Sequence, residues 1–136
     1  MRVLLVEDTA GLGEAVRDQI ADDGHAVDWV QTLRFAEASI RTTAYDLILL
    51  DPPSFSNSKA MSDSFDVQRD HGDLVRKAMA VLRQEGRLYF SNNRRGFTLD
   101  DSLRDEFHCE DITPQTLPPD FQRNRKIHCC WSIGHI

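Results

Sequence analysis

At 136 residues the chain has the length of one domain and can bury a core. Its 40% hydrophobic and 28% charged residues exclude a disordered or fibrous protein, and no apolar run approaches the ~20 residues of a membrane helix. The net charge of −6 is uneven: residues 1–51 hold ten acids and four arginines, whereas residues 52–136 hold twelve acids and twelve bases.

The start, Met1–Asp8, is strand-like and followed by acids, which is not the pattern of a secretory signal. Val3 to Val6 are continuously apolar and predict a short buried strand, Arg2–Val6, with Glu7 and Asp8 at its C-terminal end. Leu12, Val16 and Ile20 recur every four residues and predict a helix that Asp22, Asp23 and Gly24 stop. Ala26–Val30 is a second strand; Leu33, Ala36 and Ile40 mark a second helix; Asp46–Leu50 is a third buried strand ending at Asp51. Alternating strands and helices imply a parallel sheet with right-handed crossovers. Pro52 and Pro53 then open a polar loop. Ser62 or Ser64 is expected to cap a long helix, about Phe65–Gln84, with the stripe Leu74, Val75, Ala78 and Leu82, closed by Gly86. Arg87–Ser91 is a fourth strand, Asp100 and Asp101 suit the start of a short helix, and Phe107–Thr113 and Ile127–Ile133 are the fifth and sixth strands. Cys109, Cys129 and Cys130 are odd in number, lack metal spacing and fit a reducing cytoplasm.

In an open parallel sheet ligands bind beyond the carboxyl ends of the strands. Glu7, Asp8 and Asp51 all stand at such ends. Three carboxylates that converge repel one another unless a cation lies between them, and an oxygen-only set favours Mg²⁺. The metal set expected here is therefore Glu7, Asp8 and Asp51, with the Asp51 carboxylate as a nucleophile for a phosphoryl group.

These residues carry a resemblance. Val3-Leu4-Leu5-Val6-Glu7-Asp8 and Tyr45-Asp46-Leu47-Ile48-Leu49-Leu50-Asp51 resemble the first half of a bacterial response-regulator receiver domain, over residues 1–51. The resemblance implies Mg²⁺ at Glu7 and Asp8 and a phospho-accepting Asp51. A phosphate-contacting Lys of that family has no counterpart here, Lys126 standing at the wrong end of a strand, while Ser91 falls where receivers have Ser or Thr. Residues 46–136 resemble a different family. Asp51-Pro52-Pro53-Ser54-Phe55, Phe65-Asp66-Val67-Gln68-Arg69-Asp70-His71 and Ser91-Asn92-Asn93-Arg94-Arg95-Gly96-Phe97 are similar to the C-terminal half of S-adenosylmethionine (SAM)-dependent large-subunit ribosomal RNA guanine methyltransferases. That resemblance makes Asp51, Pro52, Pro53 and Phe55 a substrate-base motif. It also implies a cofactor loop after the first strand. Gly11-Leu12-Gly13 has no third glycine there, and Val30 stands where an acid would end the second strand.

The expected fold is a three-layer α/β/α sandwich, a flavodoxin-like and Rossmann methyltransferase hybrid. Its doubly wound six-stranded sheet is mostly parallel, in order 2-1-3-4-6-5, with the sixth strand antiparallel. One domain, 1–136, is expected, with a receiver-like segment (1–51), a methyltransferase-like segment (52–136) and a seam at 46–51. The functional expectation is an engineered chimera without enzymatic activity that keeps a remnant phosphorelay pocket; the alternatives are a phospho-accepting receiver and a SAM-dependent rRNA methyltransferase. No SAM binding, no strong nucleic-acid binding and no membrane partner are expected. Arg94, Arg95, Arg123, Arg125 and Lys126 read as a solvated basic set near Phe97 and Phe121, Trp131 as an anchor, and His71 as a surface or partly buried histidine.

Overall fold

The computed structural model describes residues 1–31, 44–53, 55–56, 65–116 and 128–136. The elements are β1 (Arg2–Glu7), α1 (Ala10–Asp22), β2 (Ala26–Val30), β3 (Tyr45–Asp51), β4 (Phe55–Ser56), β5 (Phe65–Asp66), α2 (Val67–Met79), β6 (Leu82–Asn92), α3 (Ser102–Glu106), β7 (His108–Asp111), α4 (Thr113–Thr116) and β8 (Cys129–Gly134). The second helical stripe, Leu33, Ala36 and Ile40, lies outside the described residues, as do Ser62 and Ser64.

Six strands form one sheet in the order β2-β1-β3-β6-β8-β7. β2, β1, β3 and β6 run parallel, and β8 inserts antiparallel between β6 and β7. This is the expected order, with β6, β7 and β8 as the fourth, fifth and sixth predicted strands. Strand alternation gives the sheet two apolar faces. Leu4, Val6, Ile48, Leu50, Leu88, Phe90, Trp131 and Ile133 share one face and pack with Leu74, Val75, Ala78 and Met79 of α2. On the other face Leu5 is register-paired with Trp29, whose indole lies against Gly13 of α1. Helices therefore cover both faces.

The local chemistry explains the element ends. α1 closes with Gly24 at φ +89°, and its cap bonds run from Gly24 N to Ala21 O and from His25 N to Ile20 O, a pattern that needs a left-handed residue. α2 starts later than expected and ends earlier. Its N-cap is Asp66, whose carboxylate accepts from the Gln68 and Arg69 N–H groups, while Asp66 N donates to Asp70. The stripe residue Leu82 begins β6 instead of ending the helix. Tyr45 pairs with Leu82 and Leu47 with Arg87, so β6 bulges between them. Gly86 sits in that bulge because a Cβ there would stand 2.8 Å from the Asp46 carbonyl. No described helix is long and apolar enough to cross a membrane.

Candidate functional site

The carboxyl ends of β1, β3 and β6 form one rim. Glu7 and Asp51 are register partners there, one step beyond the pair Leu50 and Phe90, which brings Ser91 beside Asp51. The Asp51 carboxyl hydrogen-bonds to Glu7 and to the Ser91 hydroxyl. Burial, followed by the neighbouring Glu7, pushes Asp51 up to about 8. Asp8, exposed beside them, is also raised, by its partial desolvation and then by Glu7. Glu7 is buried; its Oε1 accepts from Thr9 N, and its carbonyl accepts from the Trp29 indole.

This geometry changes the chemistry expected of the rim. Burial and the adjacent Glu7 both favour a proton on the Asp51 side of this pair over two neighbouring charges. Among the described residues no group of three or more His, Cys, Asp or Glu side chains is arranged to hold a metal ion, the set Glu7, Asp8 and Asp51 included. Glu7 and Asp51 stand close enough to share a hydrogen bond. A protonated carboxyl instead offers one donor and one acceptor side by side, which suits the amide-like edge of a heterocycle. Pro52 is buried and Pro53 half-buried directly beyond it. The backbone then turns so that Phe55 and Ser56 pair antiparallel with Asp66 and Phe65, which ties the Asp-Pro-Pro segment to the start of α2.

Beside the rim, α2 organises the loop after β6. The Gln68 amide donates to Thr98 O (2.8 Å), accepts from Thr98 N (2.9 Å) and accepts from the Arg94 guanidinium (3.4 Å). His71 is 1% exposed. Its Nδ1 faces Val67 O at 2.7 Å and its Nε2 accepts from Asp100 N at 2.9 Å, so the proton sits on Nδ1. The ring stacks on Phe90 (5.9 Å) and meets Phe97 edge-on (4.7 Å). His71 is thus a core clamp, not the surface or partly buried residue expected. Gln68 and Asn92 were missed as organising residues. Asn92 is fully buried, and its Oδ1 holds Arg94 N. Their only sequence signal is the clustering of polar residues in the runs Phe65–His71 and Ser91–Phe97.

Gly11 and Gly13 differ sharply. A Cβ at Gly11 would meet nothing within 4 Å, whereas one at Gly13 would overlap the Trp29 indole. Gly-x-Gly therefore forms no open cradle, and the room at this turn lies at Thr9–Gly11. Arg94 is half-buried and Arg95 exposed; Phe121, Arg123, Arg125 and Lys126 lie outside the described residues. All three cysteines are free, and burial pushes Cys129 and Cys130 up to about 11. Trp131 is an anchor, as expected, with the Arg104 guanidinium 4.9 Å from its ring.

No family model matches the chain. Several curated proteins do. Ribosomal RNA large subunit methyltransferase K/L of Acinetobacter baumannii is 55% identical over 91 residues, 67% of this chain and 12% of that protein. The K/L protein of Methylococcus capsulatus is 46% identical over 123 residues, 90% of this chain and 16% of that protein. Ribosomal RNA large subunit methyltransferase K of Neisseria meningitidis is 55% identical over 67% of this chain, which covers 25% of that protein. This chain thus spans a quarter or less of these relatives. Among solved structures, SMU.776, assigned to the methyltransferases and complexed with SAH, superposes with TM-score 0.62 at 17% identity, covering 97% of this chain and 44% of that one. The SAM-dependent methyltransferase of Agrobacterium tumefaciens gives 0.61 at 11% identity, covering 99% and 56%. The HemR receiver domain of Leptospira biflexa gives 0.48 at 28% identity over 76% of this chain and 71% of that one, a looser likeness that decides neither fold nor function.

These findings overturn several expectations. An inactive engineered chimera with a remnant phosphorelay pocket is not what the relatives indicate; they are named as rRNA methyltransferases, and the 123-residue match must begin by residue 14, inside the receiver-like segment. Proteins named as enzymes likewise overturn the expectation of no enzyme. The exclusion of SAM fails against neighbours of this fold that are SAM-dependent or complexed with SAH. The exclusion of strong nucleic-acid binding, drawn from overall acidity, fails against relatives named for an RNA substrate. Net charge is a sum over the whole surface, and it hides a local set such as Arg94 and Arg95.

Proposed function

We propose that this chain carries the base-recognising part of a SAM-dependent methyltransferase acting on large-subunit ribosomal RNA. The observation that carries the reading is Asp51 at the carboxyl rim, beside Glu7 and Ser91 and followed by Pro52-Pro53, within a chain about half identical to the rRNA methyltransferase relatives. The acid pairs with the edge of the target base, Glu7 and Ser91 fix its orientation, and the two prolines and Phe55 set the path of the segment. SAM, when bound, supplies an electrophilic methyl group; Thr9–Gly11 and the Asp51 rim are the parts of this chain that would face it. The chain works as one domain, residues 1–136, in the cytoplasm where its RNA is made.

The test is a mobility-shift titration of this chain with large-subunit rRNA, with tRNA as competitor. Wild type should retain the rRNA, and Asp51→Ala should weaken retention about tenfold, the loss of one paired base contact. No retention, or equal competition by tRNA, overturns the reading.

A further inference from the structure

A cavity of about 210 Å³ opens beside the rim, lined by Arg94, Gly96, Phe97, Asp111, Thr113, Pro114, His128, Cys129 and Trp131. Ligand pockets for drug-sized molecules run to ~300–1,000 Å³, so this one suits a single ring system. Its position follows from the register. β8 is antiparallel, so its first residues lie at the carboxyl end of β6: Asn92 pairs with Cys129, Ser91 with Cys130 and Phe90 with Trp131. Asp51 neighbours Ser91. Two strand spacings of ~4.8 Å thus separate Asp51 from Cys130, about 10 Å in all. Alternation places Cys129 and Trp131 on the opposite sheet face from Cys130, so the cavity lies just around the edge of the rim from Asp51.

The lining groups have the chemistry of nucleotide recognition. Phe97 and Trp131 offer aromatic surface for a base. Arg94 is anchored on a neutral amide, Gln68, so its charge is left for a phosphate. Asp111 keeps Oδ1 on Thr113 N and has a second oxygen to accept from amino groups. His128 is shifted down by burial and bonds Asn93, so it brings no competing charge. Among the described residues the buried Trp131 Nε1 has no hydrogen-bond partner, a polar group on the cavity wall not yet matched. Preorganisation is already built in: His71 packs on Phe97, and Gln68 grips both Thr98 and Arg94.

We propose that this cavity is a second nucleotide subsite, which takes an unpaired base flanking the one held at Asp51, with Arg94 on its phosphate and Asp111 reading an amino-bearing base such as guanine. The proposal rests on the rRNA reading above and deepens it. A single-stranded RNA pentamer with central guanosines, its uridine counterpart and free GMP are the probes. They are titrated into the whole chain while the Trp131 indole and Gly96 amide NMR signals are followed, together with fluorescence anisotropy. The guanosine pentamer should shift both signals saturably and bind at least tenfold tighter than GMP. Arg94→Gln should weaken it about tenfold and reduce the salt slope by ~0.7, the share of one single-strand phosphate. Asp111→Asn keeps the bond to Thr113 and should erase the preference for guanosine over uridine. RNA binding that leaves both signals and Arg94→Gln unaffected overturns the subsite while the rRNA reading stands. GMP binding as tightly as the pentamer makes this a free-nucleotide site and overturns the proposal. No RNA binding at all, large-subunit rRNA included, overturns the subsite and the reading beneath it together.

Discussion

Replacing Asp51 by Asn tests the protonated acid directly. Asp51 titrates near 3.8 when unfolded and at about 8 in the folded chain. Between those values the folded chain holds a proton that the unfolded chain has released, so stability falls as pH rises through that window and levels off above it. The full difference amounts to about 6 kcal/mol at 1.36 kcal/mol per pH unit. The rim is partly open to water, and screening brings the expected effect to ~2–3 kcal/mol. An asparagine keeps the shape, still bonds Ser91 and can donate to Glu7, but has no proton to lose. Urea unfolding of wild type and Asp51→Asn at pH 5, 7 and 9 measures the gap. The variant should gain under ~1 kcal/mol at pH 5 and ~2–3 kcal/mol at pH 9. A gap that does not change with pH, or a variant less stable than wild type at pH 9, refutes the buried shared proton.

His71→Ala should lose ~3 kcal/mol of stability in urea, because it empties a packed site and strips Asp100 N of its acceptor. The two glycines of α1 should respond oppositely in thermal unfolding. Gly11→Ala gains up to ~1 kcal/mol from helix propensity, whereas Gly13→Ala loses ~1–3 kcal/mol by driving Trp29 off its seat. With thiols pushed up to about 11, Cys129 and Cys130 should react with a disulfide reagent at pH 8 roughly a hundredfold more slowly than a free thiol.

The sheet was legible because its strands are short, apolar and bounded. Val3–Val6 is buried throughout and Ile48 and Leu50 are buried, as continuous apolar runs are in a parallel sheet covered on both faces. Even the insertion of β8 between β6 and β7 could be anticipated, from the methyltransferase resemblance. Helix α2 was misjudged at both ends for local reasons. Asp66 caps the helix because its carboxylate reaches two N–H groups. Leu82 fits a helical stripe equally well as the first residue of a bulged strand. At the site, the convergence of Glu7 and Asp51 was visible, since both end adjacent strands. What they do was not, because charge state depends on burial and on the hydrogen bond between them, and neither is written in spacing. His71 looked ordinary for the same reason: its two acceptor and donor contacts lie 4 and 29 residues away. The function was misjudged because the receiver-like run Val3–Asp8 was weighed above the methyltransferase-like residues 46–136, in a chain whose relatives are named as methyltransferases.

The place of β8 has a consequence for how the chain folds. The strand read last in sequence is interior in space, between β6 and β7. Until residues 129–134 arrive, β6 offers an open edge of unpaired N–H and C=O groups along Leu88–Asn92, next to the most apolar part of the core. Closing that edge requires contacts 37 residues apart, Asn92 with Cys129, to 45 apart, Leu88 with Ile133, so this step is slow compared with forming β1, α1 and β2. A chain shortened before Cys129 would expose a sticky strand edge and self-associate. Strand β8 is therefore both a wall of a cavity and the seal of the β6 edge.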